Sequence, residues 1–478
     1  MARFLICCSP IHGHLAPLLR VTDGLIARQH DVVVLTGSRF KEIVEQTGAA
    51  HLALPAGADF DDRDFDASFP GRAAKRGPAR INFDASRVFG DPIPHQLAAL
   101  RATLRDFPAE AVLVDPGFLG VMALLLDATT DRPPVVSCNT SPLLLSSRDT
   151  APFGFGLAPS SRALGRARNA ALRFVVQRAL LRPAQRHINQ RLMSVGAPRL
   201  PVFFMDTPIL ADRVVQPTIE SFEYPRSDLP DKVRFVGPIL PPPTARFDPP
   251  PWWTELDEGR PVVHVTQGTL DTADLGRLIA PTLAALQHEN VLVVATTGGR
   301  PSSAIPGPIP ANARIETFVP YDHLLPKIDI IVTNGGYGGV QYALSHGVPL
   351  VVAGTTEDKP EVAARIAWAG VGINLRTAKP TVEKLRKAIL TVLSDASYRQ
   401  RARALQAQCA QHDAVAEISE MLEQLATEHP TPPSDTHPST PTPATPLERQ
   451  NNERHQDRAG TRHRTLERAR SGGMGGPL

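Results

Sequence analysis

Two histidines flank a glycine early in the chain, in Ser9-Pro10-Ile11-His12-Gly13-His14-Leu15-Ala16-Pro17. The segment joins an apolar run, Arg3-Phe4-Leu5-Ile6-Cys7-Cys8, to a helical pattern from Leu15 to Gln29. Open parallel sheets bind ligands at the carboxyl ends of their strands, and this is such an end. An imidazole titrates near neutral pH and can take a proton from a hydroxyl, which makes His14 a candidate general base. Asp115 closes another apolar run, Ala111-Val112-Leu113-Val114-Asp115, on the same expected edge. Its carboxylate could fix the imidazole tautomer and stabilise the imidazolium, as in a hydrolytic triad without its serine. A plainer alternative is that both histidines only serve the backbone where their helix begins. A zinc site is a third option, but no neighbouring Cys or carboxylate completes one.

A second constellation lies far downstream. Ile331-Val332-Thr333-Asn334-Gly335-Gly336-Tyr337-Gly338-Gly339-Val340 runs from a strand pattern into a helix expected to start near Gly338. Glycines let backbone amides come close to a ligand, and a helix start presents free N–H groups and a positive dipole end to an anion. A diphosphate suits such a cradle; tight turning alone would also explain the glycines. Thr266-Gln267-Gly268-Thr269 holds the equivalent place after another strand. There Gly268 gives access and the Thr269 hydroxyl could meet a phosphate oxygen. Asp358 and Lys359 follow a third strand and offer an acceptor and a donor for sugar hydroxyls. Asp358 could instead cap the helix that follows, since Pro360 suits a first helical turn.

The elements that must hold these residues are legible as a repeating pattern. Short Val-, Ile- and Leu-rich runs without polar alternation are strands buried on both faces, as in parallel sheets between helices. The series runs from Arg3 to Cys138, then restarts at Pro261-Val262-Val263-His264-Val265-Thr266 and continues through Pro349–Ala353. An α/β fold follows, with two tandem Rossmann-like, doubly wound parallel-sheet domains. The expected division is 1–235, a proline-rich linker 236–251, a second domain 252–427, and a tail 428–478 whose Pro, Ser, Thr and charge content predicts disorder. The polar residues 60–90 are expected to form a mobile insertion.

Composition narrows the function classes. Apolar residues at 42% suffice for two cores, and a net charge of +3 calls for no nucleic acid. Cys7, Cys8, Cys138 and Cys409 lack ligand spacing and read as free buried thiols. The N-terminus enters a strand without a signal-peptide pattern, and no apolar run reaches the roughly 18 residues of a membrane span. A cytoplasmic protein is expected. Between Thr150 and Met205 there is no acidic residue, yet arginines recur among apolar residues. The segment 160–195 reads first as a solvated helix face and second as a weak peripheral contact with an anionic membrane.

Taken together, Gly13-His14-Leu15-Ala16-Pro17, Asp115 and the stretch from Phe318-Val319-Pro320-Tyr321 through Asn334–Gly339 to Glu357-Asp358-Lys359 resemble the inverting, UDP-sugar-dependent glycosyltransferases of the GT-B fold. That group includes plant secondary-product, animal glucuronosyl and bacterial macrolide transferases, and the resemblance spans roughly residues 1–427. It implies two domains facing a central cleft, the front one for the acceptor and the rear one for the nucleotide sugar. It places the base on His14 rather than His12, with Asp115 as its partner. It assigns donor binding to Gly268, Thr269, Phe318, Val319, Asn334, Gly335, Gly336, Gly338, Gly339, Asp358 and Lys359. Four positions depart from the usual pattern: Asn334 replaces His, Phe318 replaces a base-stacking Trp, Tyr342 replaces a ribose-binding Glu, and Lys359 replaces Gln.

The implied reaction moves a hexose from a nucleoside diphosphate onto a hydroxyl of a small hydrophobic acceptor: a lipid, polyketide, sterol or phenol. The donor expected first is a UDP-sugar and second a dTDP-sugar. Neither cofactor nor metal is expected, since Asp61-Asp62-Arg63-Asp64 falls in the 60–90 insertion. Two alternatives stay open: a catalytically idle nucleotide-sugar-binding auxiliary protein, and a nucleotide-sugar epimerase. A Rossmann oxidoreductase is disfavoured because Gly-x-Gly-x-x-Gly is missing after the first strand.

Overall fold

The computed structural model describes residues 1–129, 131–268 and 271–429. The expected tail, 428–478, therefore lies outside the described residues except Glu428 and His429, which close the last helix. Thr269 also lies outside them.

Among the described residues the strands form two sheets, one of seven strands and one of six, and every pairing is parallel. The front sheet holds β1 (Arg3–Cys7), β2 (Asp31–Thr36), β3 (Ala50–Ala53), β4 (Ala111–Val114), β5 (Val135–Cys138), β6 (Arg213–Gln216) and β7 (Val233–Phe235), ordered 3-2-1-4-5-6-7. The rear sheet holds β8 (Val262–Thr266), β9 (Leu292–Thr296), β10 (Ala313–Glu316), β11 (Ile330–Thr333), β12 (Leu350–Val352) and β13 (Gly372–Asn374), ordered 10-9-8-11-12-13. The apolar runs behave as their lack of alternation requires. Leu5 and Cys7 enter one core layer while Phe4, Ile6 and Cys8 enter the layer on the opposite face. In both sheets the chain order reverses beside the first strand of the half, which opens a crevice there at the carboxyl edge.

Three features differ from the sequence expectation. The helix after β1 starts at His12, not Leu15, and runs to Ala27 with Pro17 inside it. Its first turn is held from outside: the Asp62 carboxylate accepts the His12 amide at 2.6 Å. Asp62 thus satisfies a backbone donor that Ile11, at the cap position, cannot.

Residues 60–90 are ordered rather than a mobile insertion. They form short helices, including Phe65–Ser68 and Gly77–Phe83, stitched by Arg72–Asp84 and Arg80–Asp84 ion pairs and a Phe60–Phe65–Phe69 cluster. These contacts lie within the segment and join residues four to twelve apart, so overall polarity does not reveal them.

The rear segment 252–427 does not stay with the rear sheet to its end. The helix Ala414–Glu428 crosses back and buries Ile418, Leu422 and Leu425 in the front core. Glu423 fixes it with bonds from Arg28 at 2.8 and 2.9 Å and a contact to His30 at 2.7 Å.

The halves also meet directly. Arg365, 1% exposed, pairs with Glu223 and Glu361 at 2.9 Å each. The Glu361 carboxylate accepts the amides of Gly154 and Gly156, both at 2.8 Å. Buried charges of this kind persist only when paired and hydrogen-bonded, so these contacts fix one seating of the rear half on the front loops. No helix among the described residues is long and apolar enough to cross a membrane.

Candidate active site

The carboxyl end of β4 delivers Asp115 beside β1, because Val114 pairs with Cys7 and the Asp115 amide bonds the Cys7 carbonyl. The Asp115 side chain is buried and accepts the amides of Ser9 at 2.6 Å, Phe118 at 3.1 Å and Gly117. Those amides hold the carboxylate fixed and ionised. His14, in the first turn of the helix after β1, lies with Nδ1 3.4 Å from Asp115 Oδ1. That is ion-pair distance, just off a well-formed hydrogen bond, and Nδ1 has no other partner. The Nδ1 edge is covered while 27% of the side chain is exposed, so the open edge carries Nε2. Phe89 stacks on the imidazole at 6.4 Å between ring centroids, with 13° between the planes.

The electrostatics follow from this packing. Burial pulls the His14 pKa down, but the Asp115 carboxylate, then Asp358 and Asp62, more than reverse it, and the ring ends above ordinary imidazole. For Asp115 burial pushes up, while His14 and the Ser9 amide more than offset it, leaving the carboxyl below its usual range. Asp358, which raises the His14 pKa, belongs to the rear half.

The rear wall is assembled from the loops after β8, β11 and β12. Gly335 takes a φ of +86° and Gly336 caps the helix Tyr337–Ser345. The Val340 amide bonds the Gly336 carbonyl to open the helix, which leaves the amides of the first turn without intrahelical partners. Gly338 and Gly339 are exposed, and a Cβ added at Gly336, Gly338 or Gly339 would meet nothing. Their glycine character keeps open the space above those amides. Gly13, opposite, has the same open space and no positive φ, so it is not needed for a turn. Gln216 and Thr218 of the front half bond the Tyr337 hydroxyl at 3.0 Å and Gln341 at 3.1 Å, which docks this helix on the crevice.

Several expected donor residues are placed differently from the sequence reading. Asn334 is 7% exposed and donates to the Gln267 carbonyl at 2.7 Å, holding the loop that carries Gly268. The Asn334 backbone carbonyl packs on Gly354 so closely that a Cβ there would overlap it. Asn334 therefore ties the three rear loops together rather than facing open space. Val319 sends its side chain into the rear core, so only its backbone can face a ligand. Lys359 is buried, its ammonium bonded to Glu357 Oε2 at 2.6 Å and Thr356 Oγ1 at 3.1 Å, which removes it as a freely available donor. Phe318 leaves its ring 60% exposed beside Gly299. Asp358 occupies the cap position of the helix Lys359–Ala369 without capping it through its side chain. Burial, opposed by Lys359 and reinforced by Glu357, pushes its carboxyl up to about 6. Tyr342 packs edge-on against Tyr321 at 5.5 Å.

Sequence reasoning missed two participants, Asp62 and Phe89, both from the 60–90 segment. The sequence places the acidic run at 61–64 in the expected mobile insertion; only its fold reveals that Asp62 caps the His14 helix and pairs with Arg39 at 2.6 Å. Arg72 and Arg80 of the same segment help hold Glu357 below its usual range, against the burial that raises it. Among the described residues no group of three or more His, Cys, Asp or Glu is arranged to hold a metal ion.

Gly354 provides a direct check on the rear wall. Gly354→Ala must part its loop from Asn334, at a cost of about 1–3 kcal/mol in stability. UDP affinity is expected to fall by about tenfold or more, read by calorimetric titration beside a thermal melt. Unchanged affinity would show that the three loops do not act as one cradle.

Comparisons with known proteins cover nearly the same span. A family model described as erythromycin biosynthesis protein CIII-like, C-terminal domain, matches residues 277–425. The 4'-demethylrebeccamycin synthase of Lentzea aerocolonigenes is 43% identical over 428 residues, covering 89% of this chain and 99% of that protein. UDP-glycosyltransferase 2 of Phaeomoniella chlamydospora is 37% identical over 435 residues, covering 88% and 95%. Among solved structures, the glycotransferase of kitacinnamycin superposes with a TM-score of 0.68 at 21% identity, over 89% of this chain and 98% of that one.

Proposed function

Because the chain belongs to the UDP-glycosyltransferases of the GT-B fold and is a glycosyltransferase using a nucleotide sugar, we propose that it inverts the anomeric centre with His14 as base. The observation that carries this reading is the His14–Asp115 pair at the carboxyl edge of the front sheet together with the glycine-led helix start of the rear sheet, which Gln216 and Thr218 dock on the front half. Asp115 takes the Nδ1 side of the ring, so Nε2 is the basic atom toward the crevice. The acceptor oxygen loses its proton to Nε2 as it attacks the anomeric carbon, and the bond to the diphosphate oxygen breaks on the opposite face. An α-linked donor then gives a β-glycoside. The free amides above Gly338 and Gly339 and the positive helix end stabilise the departing diphosphate, without a metal ion.

Phe318 offers an exposed ring for stacking the base of the nucleotide. Asp358 accepts sugar hydroxyls, and the Thr269 hydroxyl remains a candidate phosphate contact on the sequence reading alone. UDP is the first donor nucleotide, supported by the relative named a UDP-glycosyltransferase, and dTDP the second. The acceptor is a small hydrophobic molecule bearing a hydroxyl.

The test combines stereochemistry and metal dependence. Purified protein is given UDP- or dTDP-hexose with a panel of phenol, polyketide, sterol and lipid acceptors, with and without EDTA. The expected product is a β-glycoside by proton NMR, formed at the same rate in the chelator. An α-linked product, or activity lost in EDTA and restored by magnesium, would overturn the mechanism.

A further inference from the structure

The segment 160–195 folds as helices Ala163–Val175 and Arg182–Ser194 joined by a wider π-helical turn, Val176–Leu180. The second helix turns Ala184, Ile188 and Leu192 into the front core, but the polarity of the first runs opposite to that of an ordinary surface helix, which turns apolar residues inward. The inward face of the first helix carries Asn169, fully buried and bonded to the Arg148 carbonyl, and Arg173, bonded to the Ser147 carbonyl. Its exposed side carries Leu164 in the first turn and Phe174 and Val175 in the last, at 87%, 67% and 48% exposure. Leu180 extends it. More than half of the large hydrophobic side chains that stay exposed in the described chain lie between Phe155 and Met193. Concentration on that scale marks an interaction surface, not scattered exposure.

The charge around this exposed side selects the partner. No acidic residue occurs between Thr150 and Met205. Arg162, Arg178, Arg182 and Arg186 are exposed, and no ion pair or side-chain hydrogen bond engages them among the described residues. A second copy of the chain would bring arginines against arginines, so like charge disfavours a symmetric pair. Apolar side chains standing proud between unpaired arginines match the boundary between acyl chains and anionic headgroups.

We propose that the outer face of residues 162–186 docks the protein reversibly on anionic membrane surfaces. Leu164, Phe174 and Val175 enter the headgroup boundary, and Arg178 and Arg182 meet phosphate groups. This docking is separate from the transfer chemistry proposed above, which assigns none of these side chains a role.

Sedimentation of the full chain with vesicles tests it. The parent is expected to co-sediment with vesicles containing phosphatidylglycerol at low salt, to be released by high salt, and to ignore pure phosphatidylcholine. Phe174→Asp should weaken the binding by about tenfold or more. Arg178→Gln with Arg182→Gln should weaken it by about tenfold. Both changes are at exposed positions, so melting temperature and transfer to a water-soluble acceptor should stay at the parent value. No binding to anionic vesicles, equal binding by the variants, or a dimer that Phe174→Asp abolishes would each overturn the proposal.

Discussion

His14→Ala lowers kcat for sugar transfer by about 10³–10⁴-fold while UDP binding stays within about twofold of the parent. The split follows from where the side chain sits. The imidazole belongs to the first turn of the front helix and touches Asp115 and Phe89, whereas the glycine cradle is built from rear loops. Removing it leaves the donor wall standing and takes away the proton acceptor. The helix itself should survive, since its first amide is satisfied by Asp62 rather than by His14. Product chromatography gives the rate and calorimetry the affinity. Equal turnover by variant and parent would contradict the assignment of the base. Loss of UDP affinity in parallel with turnover would show that His14 builds the donor site instead.

Asp115→Asn is expected to lower kcat by about 10³–10⁴-fold as well, but with a different pH signature. The sign can be followed group by group. In the parent, the Asp115 carboxylate outweighs burial and holds His14 above ordinary imidazole. The base is active when neutral, so the acid limb of the rate profile falls at a pH above the usual imidazole range and activity rises as pH rises through it. With a neutral amide at position 115 the largest raising influence is lost, those of Asp358 and Asp62 remain, and the burial penalty stays. The residual activity should then show its acid limb at lower pH. The amide also cannot accept from Ser9, Gly117 and Phe118 as the carboxylate does, which costs about 1–3 kcal/mol of stability. A thermal melt run beside the pH profile separates the two effects. An acid limb that stays in place would mean that His14 titrates without help from Asp115.

The departures from the usual family residues become interpretable once the loops are in place. Asn334 stands where a charged imidazole is usual, yet its amide is spent on the Gln267 carbonyl. Its value here is to hold the Gly268 loop beside the loop after β11. Lys359, similarly, is neutralised by Glu357 and screened by burial. On the proposed mechanism the charge of the leaving diphosphate is met chiefly by backbone amides and the helix end, in the space that the glycines at 336, 338 and 339 leave open.

The sequence by itself determined the strands, their parallel pairing in two halves and the sheet edge on which His14 and Asp115 lie, while the choice of these two as a pair came from the family resemblance. Those features are local or periodic. An apolar run without alternation must be buried on both faces, and a loop at the end of such a run must lie on the sheet edge. Only the tertiary structure decided which polar residues face the crevice and which face the protein. Asp62, Phe89, Asn334, Lys359 and the return of Ala414–Glu428 onto the front sheet depend on contacts between residues far apart in the chain. Such contacts are set by packing and by the need to satisfy each buried amide and charge, and neither spacing nor composition encodes their direction.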